Sequence, residues 1–187
     1  LCVFIYIMLL FDLIEDKNVA IVGPSSYLKG KKLGNLIDSY DIVIKINRFE
    51  SLPSEDFGYK VDILFSNFYV GPPHTNIKEI GTKLIMAAHH VVGDDINHTR
   101  QYDKSKGIFT DIPHELFPFE AMDPFLKEKC NKGGWKTSGF FILCLLFNHL
   151  NLMNSLTLFG VDFCFNEYLE KYQIFYNPHN FTMEREY

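Results

Sequence analysis

Apolar and polar positions along the chain follow two alternating rhythms. Short apolar runs closed by turn residues predict buried strands at 19–22, 41–46, 61–65, 83–87 and 155–159. The first of these is closed by Gly23-Pro24-Ser25-Ser26. Longer stretches fit helices. Residues 27–37 carry Leu28, Leu33, Leu36 and Ile37 near the helical period, with Gly30 and Gly34 weakening the pattern. Residues 139–150 are long and apolar enough for a mostly buried helix. Pro72-Pro73 and residues 107–124, which hold Pro113, Pro118 and Pro124, read as loops. Strands alternating with helices predict an α/β class.

Composition narrows this picture. The chain has 187 residues, 47% hydrophobic and 22% charged, which predicts one globular domain with a real core and excludes disorder, collagen and coiled coil. Its net charge of −5 and a longest basic run of only Lys29-Gly30-Lys31-Lys32 argue against nucleic acid as a partner. Cys2, Cys130, Cys144 and Cys164 have no CxxC spacing, so structural zinc is not indicated and reduced thiols are expected. Residues 1–11 are apolar up to Asp12, shorter than the roughly 20 residues a membrane helix needs. They read either as the tail of a longer signal anchor or as a first core element. Two sequons, at Asn97 and Asn180, are compatible with a secretory lumen and decide nothing.

Three constellations could carry chemistry. The first is the 19–22 strand, its Gly23-Pro24-Ser25-Ser26 turn, the helix start behind it, and the next strand ending in Ile46-Asn47-Arg48. Glycine lets backbone approach a ligand, and hydroxyls with amide groups at a helix N-terminus favour a phosphate. The turn spells neither GxGxxG nor GxxxxGK[ST], and an ordinary Ser-capped connection reads equally well. The second is Trp135-Lys136-Thr137-Ser138-Gly139 at the start of the apolar helix, where Thr137 and Ser138 serve as caps or as ligand contacts. The third is His179 to Glu184, where an imidazole could take a proton near neutral pH with a carboxylate nearby, or simply be a polar surface residue. No Asp-x-Asp pair exists, so a metal held on a nucleotide diphosphate is not indicated.

The order of these constellations carries a family resemblance. Residues 18–50, NVAIVGPSSYLKGKKLGNLIDSYDIVIKINRFE, resemble the large sialylmotif of the eukaryotic-type sialyltransferases, glycosyltransferase family 29. Residues 136–163, KTSGFFILCLLFNHLNLMNSLTLFGVDF, are similar to the small sialylmotif, and His179-x4-Glu184 to the very small motif. The TSG helix and the GVDF strand end are also similar to bacterial family 42 sialyltransferases, whereas His179-x4-Glu184 favours family 29.

The resemblance implies a single Rossmann-like domain of modified GT-A type over 18–187, mostly parallel sheet flanked by helices, truncated at the C-terminus and preceded by the 1–17 leader. It implies transfer of sialic acid from CMP-sialic acid to a glycan hydroxyl, inverting, with no metal and no further cofactor. Carried over by position, Gly23, Ser25, Ser26, Asn47, Thr137, Ser138 and Gly139 contact the CMP portion. His179 is the general base, with Glu184 as its motif partner. Tyr168 donates to the leaving phosphate, in a match where Glu167 stands in place of the usual His. The implied partners are a CMP-sugar donor and an acceptor glycan, with a membrane only if the apolar N-terminus belongs to a longer anchor. The implied compartment is Golgi, or cytoplasm for a viral or bacterial-like protein.

Several positions depart from the family pattern. Pro24 and Tyr27 replace usual asparagines, Val19 replaces the motif cysteine, and the linking disulfide has no partner positions. A catalytically lapsed nucleotide- or glycan-binding module, or a transferase of another CMP-activated acidic sugar, are the alternatives.

Overall fold

The computed structural model describes residues 9–47, 49, 52–68, 77–87, 96–117 and 138–161. Its strands are β1 (Asn18–Val22), β2 (Ile42–Ile46), β3 (Ile63–Ser66), β4 (Leu84–Ala87), β5 (His114–Leu116) and β6 (Ser155–Phe159). Its helices are α1 (residues 9–14), α2 (Gly34–Asp38), α3 (Ser54–Phe57), α4 (Ile77–Ile80), α5 (Ile96–Ile108) and α6 (Ser138–Phe147), with 3-10 turns at Ser26–Leu28 and Leu150–Leu152.

The six strands form one sheet, ordered β5-β4-β3-β2-β1-β6, and every pairing is parallel. The α/β class and the mostly parallel sheet flanked by helices expected above are borne out. The chain steps outward from β1 to β5, then returns to the other flank of β1 to add β6. This reversal puts a topological switch point at the carboxyl ends of β1 and β6, where open α/β sheets form the crevice that binds ligands.

Alternation along the strands explains the layers. Ile42, Ile44 and Ile46 of β2, with Val19, Ile21, Ile63, Phe65, Leu84 and Met86, turn to one face and are covered by Leu10 and Ile14 of α1 and the apolar length of α6. Ala20, Val22 and Val43 turn to the other, under Leu28, Ile37 and Phe57. Farther along that second face, Leu64 and Ile85 meet Ile77, Tyr102 and Phe109. Burial on both faces is why β2 reads as a continuous apolar run, interrupted only by Lys45. The amino ends of the strands are tied by Asp62, which accepts from the Val43 amide at 2.9 Å and pairs with Lys83 at 2.7 Å. Cys144 is a buried thiol within α6.

Three expectations need correction. The helix predicted over 27–37 is a 3-10 turn, a loop and then the short α2, because Gly30 (φ 77°) and Lys32 (φ 54°) adopt left-handed backbone that breaks a helix. The 107–124 stretch read as loop contains the end of α5 and the edge strand β5. The apolar helix ends at Phe147, and the chain tightens into a 3-10 turn at Leu150–Leu152.

Strand β5 also carries an unusual acid. Glu115 is 5% exposed and faces the same side as Met86, and its Oε2 has no hydrogen-bond partner among the described residues. Burial, helped by the Asp12 charge, pushes its carboxyl up to about 7. The folded state therefore holds a proton that the unfolded chain has released, so stability falls as pH rises from the ordinary carboxylate range through about 7. Glu115→Gln is expected to gain on the order of 2 kcal/mol at about pH 8 and essentially nothing at about pH 4, as read by denaturant unfolding at both values. An equal effect at both pH values would contradict burial of the neutral acid.

Candidate functional site

The crevice starts where two glycines meet. The Gly23 amide donates to the Phe159 carbonyl at 2.8 Å and the Ser25 amide to the Gly160 carbonyl at 3.2 Å, so the exits of β1 and β6 stay zipped past their last paired residues. A Cβ on Gly23 would clash with the Gly160 carbonyl oxygen, and one on Gly160 would lie 2.7 Å from the Gly23 oxygen. Gly160 also has a φ of 62°. The close approach that Gly23 permits is thus to the neighbouring strand end.

The serine turn is likewise different from its prediction. Ser25 is buried and its Oγ accepts from the Tyr27 amide at 3.3 Å, capping a 3-10 turn of three residues. So short a turn carries little macrodipole, and the phosphate-attracting helix start expected behind Ser25 and Ser26 is absent. Ser26 is partly exposed beside it.

A second cluster lies at the carboxyl ends of β2 and β3. Asn47, the residue after β2, has a φ of 57°, a left-handed conformation that asparagine tolerates better than most residues. Its amide donates to the Phe65 carbonyl at 2.8 Å, which holds it to the end of β3. Its Oδ1 accepts from the Asn67 amide at 3.0 Å and from the Ser138 Oγ at 3.4 Å. That pairing assigns the side chain's orientation, since a backbone N–H needs an oxygen opposite it. The Nδ2 makes no hydrogen bond among the described residues and is left as a donor.

Ser138 opens α6, a ten-residue helix buried along nearly its whole length, and is itself 3% exposed. Gly139 is buried in the same first turn. The unpaired amides and positive dipole end of a helix of this length gather at its start, beside Asn47. The structure therefore brings together two residues 91 positions apart that the sequence placed in one site. Thr137, Tyr168, His179 and Glu184 lie outside the described residues.

Two nearby residues were not singled out from the sequence. Asn67 follows β3 as Asn47 follows β2, and the visible signal was an asparagine directly after a buried strand run. Lys45 lies two residues before Asn47 and is buried, with its Nζ donating to the Gly58 carbonyl at 2.6 Å and 5.3 Å from the Phe49 ring centre. Burial lowers its pKa to about 8, opposed by the Asp38 charge.

Comparison with known proteins agrees with this architecture. The model of glycosyltransferase family 29 (sialyltransferase) matches residues 15–92, which contain β1, the serine turn and Asn47. The type 2 lactosamine alpha-2,3-sialyltransferases of Homo sapiens and Pongo abelii are each 28% identical over 127 residues, 62% of this chain. That alignment spans 38% of the length of either relative. A solved mammalian sialyltransferase superposes with a TM-score of 0.57 at 17% identity, covering 98% of this chain and 73% of the other. Another, in complex with Gal-beta-1-3GalNAc-ortho-nitrophenol, gives 0.56 at 15% identity over 94% and 66%. The resemblance to glycosyltransferase family 29 is therefore borne out: the chain carries that family's pattern over residues 15–92 on the fold of solved mammalian sialyltransferases.

Proposed function

We propose that this protein transfers sialic acid from CMP-sialic acid to a hydroxyl of an acceptor glycan, with inversion and without metal. The observation that carries the reading is the Asn47–Ser138 contact, which joins the ends of both long motifs at the carboxyl edge of the sheet. Asn47 Nδ2 then donates to the ribose or cytosine, while its Oδ1 is engaged in holding the site together. The amides at the start of α6 face the phosphate, whose charge they stabilise as CMP leaves. His179 takes the proton from the acceptor hydroxyl as that oxygen bonds to the anomeric carbon and the bond to the CMP phosphate breaks. Glu184 orients or charges the imidazole, and Tyr168 donates to the departing phosphate.

Asn47→Asp separates scaffold from contact. It keeps an oxygen for the Asn67 amide and the Ser138 hydroxyl and tolerates the left-handed backbone, but it removes the donor and adds a negative charge. The variant is expected to fold normally and to bind CMP at least about tenfold more weakly, the cost of one good hydrogen bond. Unchanged CMP affinity, by calorimetry, would remove Asn47 from the donor site.

Metal independence has its own check. A CMP leaving group carries less charge than a nucleoside diphosphate, and backbone amides can supply the stabilisation. Transfer is expected to persist in excess EDTA. Loss restored by magnesium or manganese would point instead to a metal-dependent transferase.

A second reading, a CMP-binding module that has lost turnover, draws on Pro24. It stands beside Gly23 at the crevice and has no N–H or side-chain amide to offer a ligand. It is distinguished by CMP binding without product.

A further inference from the structure

The longest basic run of the sequence is Lys29-Gly30-Lys31-Lys32. It leaves the crevice directly. The Lys29 amide donates to the Ser26 carbonyl at 2.9 Å and the Lys31 amide to the Leu28 carbonyl at 3.0 Å, while Leu28 is buried against Gly160. Surface lysines on a loose loop are ordinarily a solvated face. This loop is held in one shape.

The holding group is Asp56 of α3, 2% exposed. One carboxylate oxygen accepts from the Gly30 amide at 2.7 Å and the other from the Lys32 amide at 2.9 Å. These two bonds, with the Lys32 and Lys29 charges added, keep the carboxyl below its usual range and therefore ionised. Gly30 and Lys32 both take left-handed backbone to present their amides. A residue with a Cβ at Lys32 accepts that conformation because charge-assisted hydrogen bonds reward it.

Pinned from below, the loop turns its cations outward. Lys29, Lys31 and Lys32 are all exposed, and Lys31 Nζ stands 5.6 Å from the ring centre of the exposed Tyr27. The acids nearby in α3 are Asp56, engaged by the loop amides, and the exposed Glu55. Three cations thus sit within four residues beside a crevice, on a chain whose net charge is −5. A local field of sign opposite to the whole molecule draws anions to that spot and concentrates them there.

We infer that Lys29, Lys31 and Lys32 form a cationic lip that draws the phosphate of the incoming nucleotide to the carboxyl edge of the sheet, where the start of α6 then holds it. The inference rests on the donor-binding reading and adds three residues to it. It assigns them to capture of charge, not to recognition of the base or ribose.

The test compares the wild-type protein with K29Q/K31Q/K32Q, using CMP and uncharged cytidine as probes in calorimetry. At an ionic strength of about 0.02 M the variant is expected to bind CMP roughly three- to tenfold more weakly, shrinking to under about twofold at ~0.5 M, where screening is short-ranged. Cytidine should bind both proteins equally, which also shows that the variant is folded. Equal CMP affinities at low salt, with CMP bound well by the wild type, would overturn the lip alone. Weakening of cytidine to the same degree as CMP would overturn it too, because the loss would not follow charge. A wild-type protein that binds neither probe would overturn the donor reading and the lip with it.

Discussion

Replacing His179 by Ala is expected to lower the turnover rate by about 10²–10⁴-fold while CMP still binds. The acceptor hydroxyl is a poor nucleophile until its proton is taken, and imidazole is the side chain whose ordinary pKa suits that task at neutral pH. The donor, in contrast, is proposed to be held by Asn47 Nδ2 and the start of α6, neither of which depends on the base. The two quantities should therefore separate: a large fall in turnover with donor affinity moved by less than about twofold. A wild-type rate in His179→Ala would remove the base. Loss of CMP binding together with turnover would make His179 a structural or ligand-positioning residue.

Gly23→Ala is expected to have the largest effect on stability. The new methyl would clash with the Gly160 carbonyl, and backbone on both sides is fixed by the Gly23–Phe159 and Ser25–Gly160 hydrogen bonds. Relief requires β1 and β6 to part at the switch point, a loss on the order of 3–4 kcal/mol, in the tail of single-substitution effects. Gly30→Ala provides the contrast, since its Cβ would meet nothing within 4 Å and only the φ of 77° is unfavourable. That variant should cost about 1–2 kcal/mol. Denaturant midpoints with unchanged slopes would read both values. Equal costs would mean that the contact between the strand ends carries no strain.

The strands were legible because a parallel sheet buries both faces, which leaves contiguous apolar runs such as the one through Ile42, Val43 and Ile44. Strand β5 was hidden because its three residues include His114 and Glu115, polar in sequence although Glu115 is buried. Helix α5 was hidden for a related reason. Between residues 100 and 108 it buries only Tyr102 and Ser105, too few positions to write a helical period. The break in the predicted 27–37 helix depends on Asp56, which lies 24 residues from Lys32 and contributes no local pattern.

The site divides in the same way. Asn47 and Ser138 could be placed together from motif order, and the structure joins them. What Asn47 does with its two amide ends could not be read, because Oδ1 is taken by Asn67, a residue with no motif of its own. Gly23 was visible as special, but its reason lies in Gly160, 137 positions away and beside it only after β6 has paired with β1.

The central claim is that a CMP-sugar bound at this sheet edge is consumed in transfer. It is tested most directly by incubating the purified protein with CMP-sialic acid and a mixed panel of acceptor glycans, following CMP release and product mass together. The account predicts CMP release that depends on acceptor and matches, one for one, an acceptor grown by a single sialic acid. Saturable CMP binding with no acceptor-dependent release and no product of increased mass would contradict it and leave the lapsed binding module.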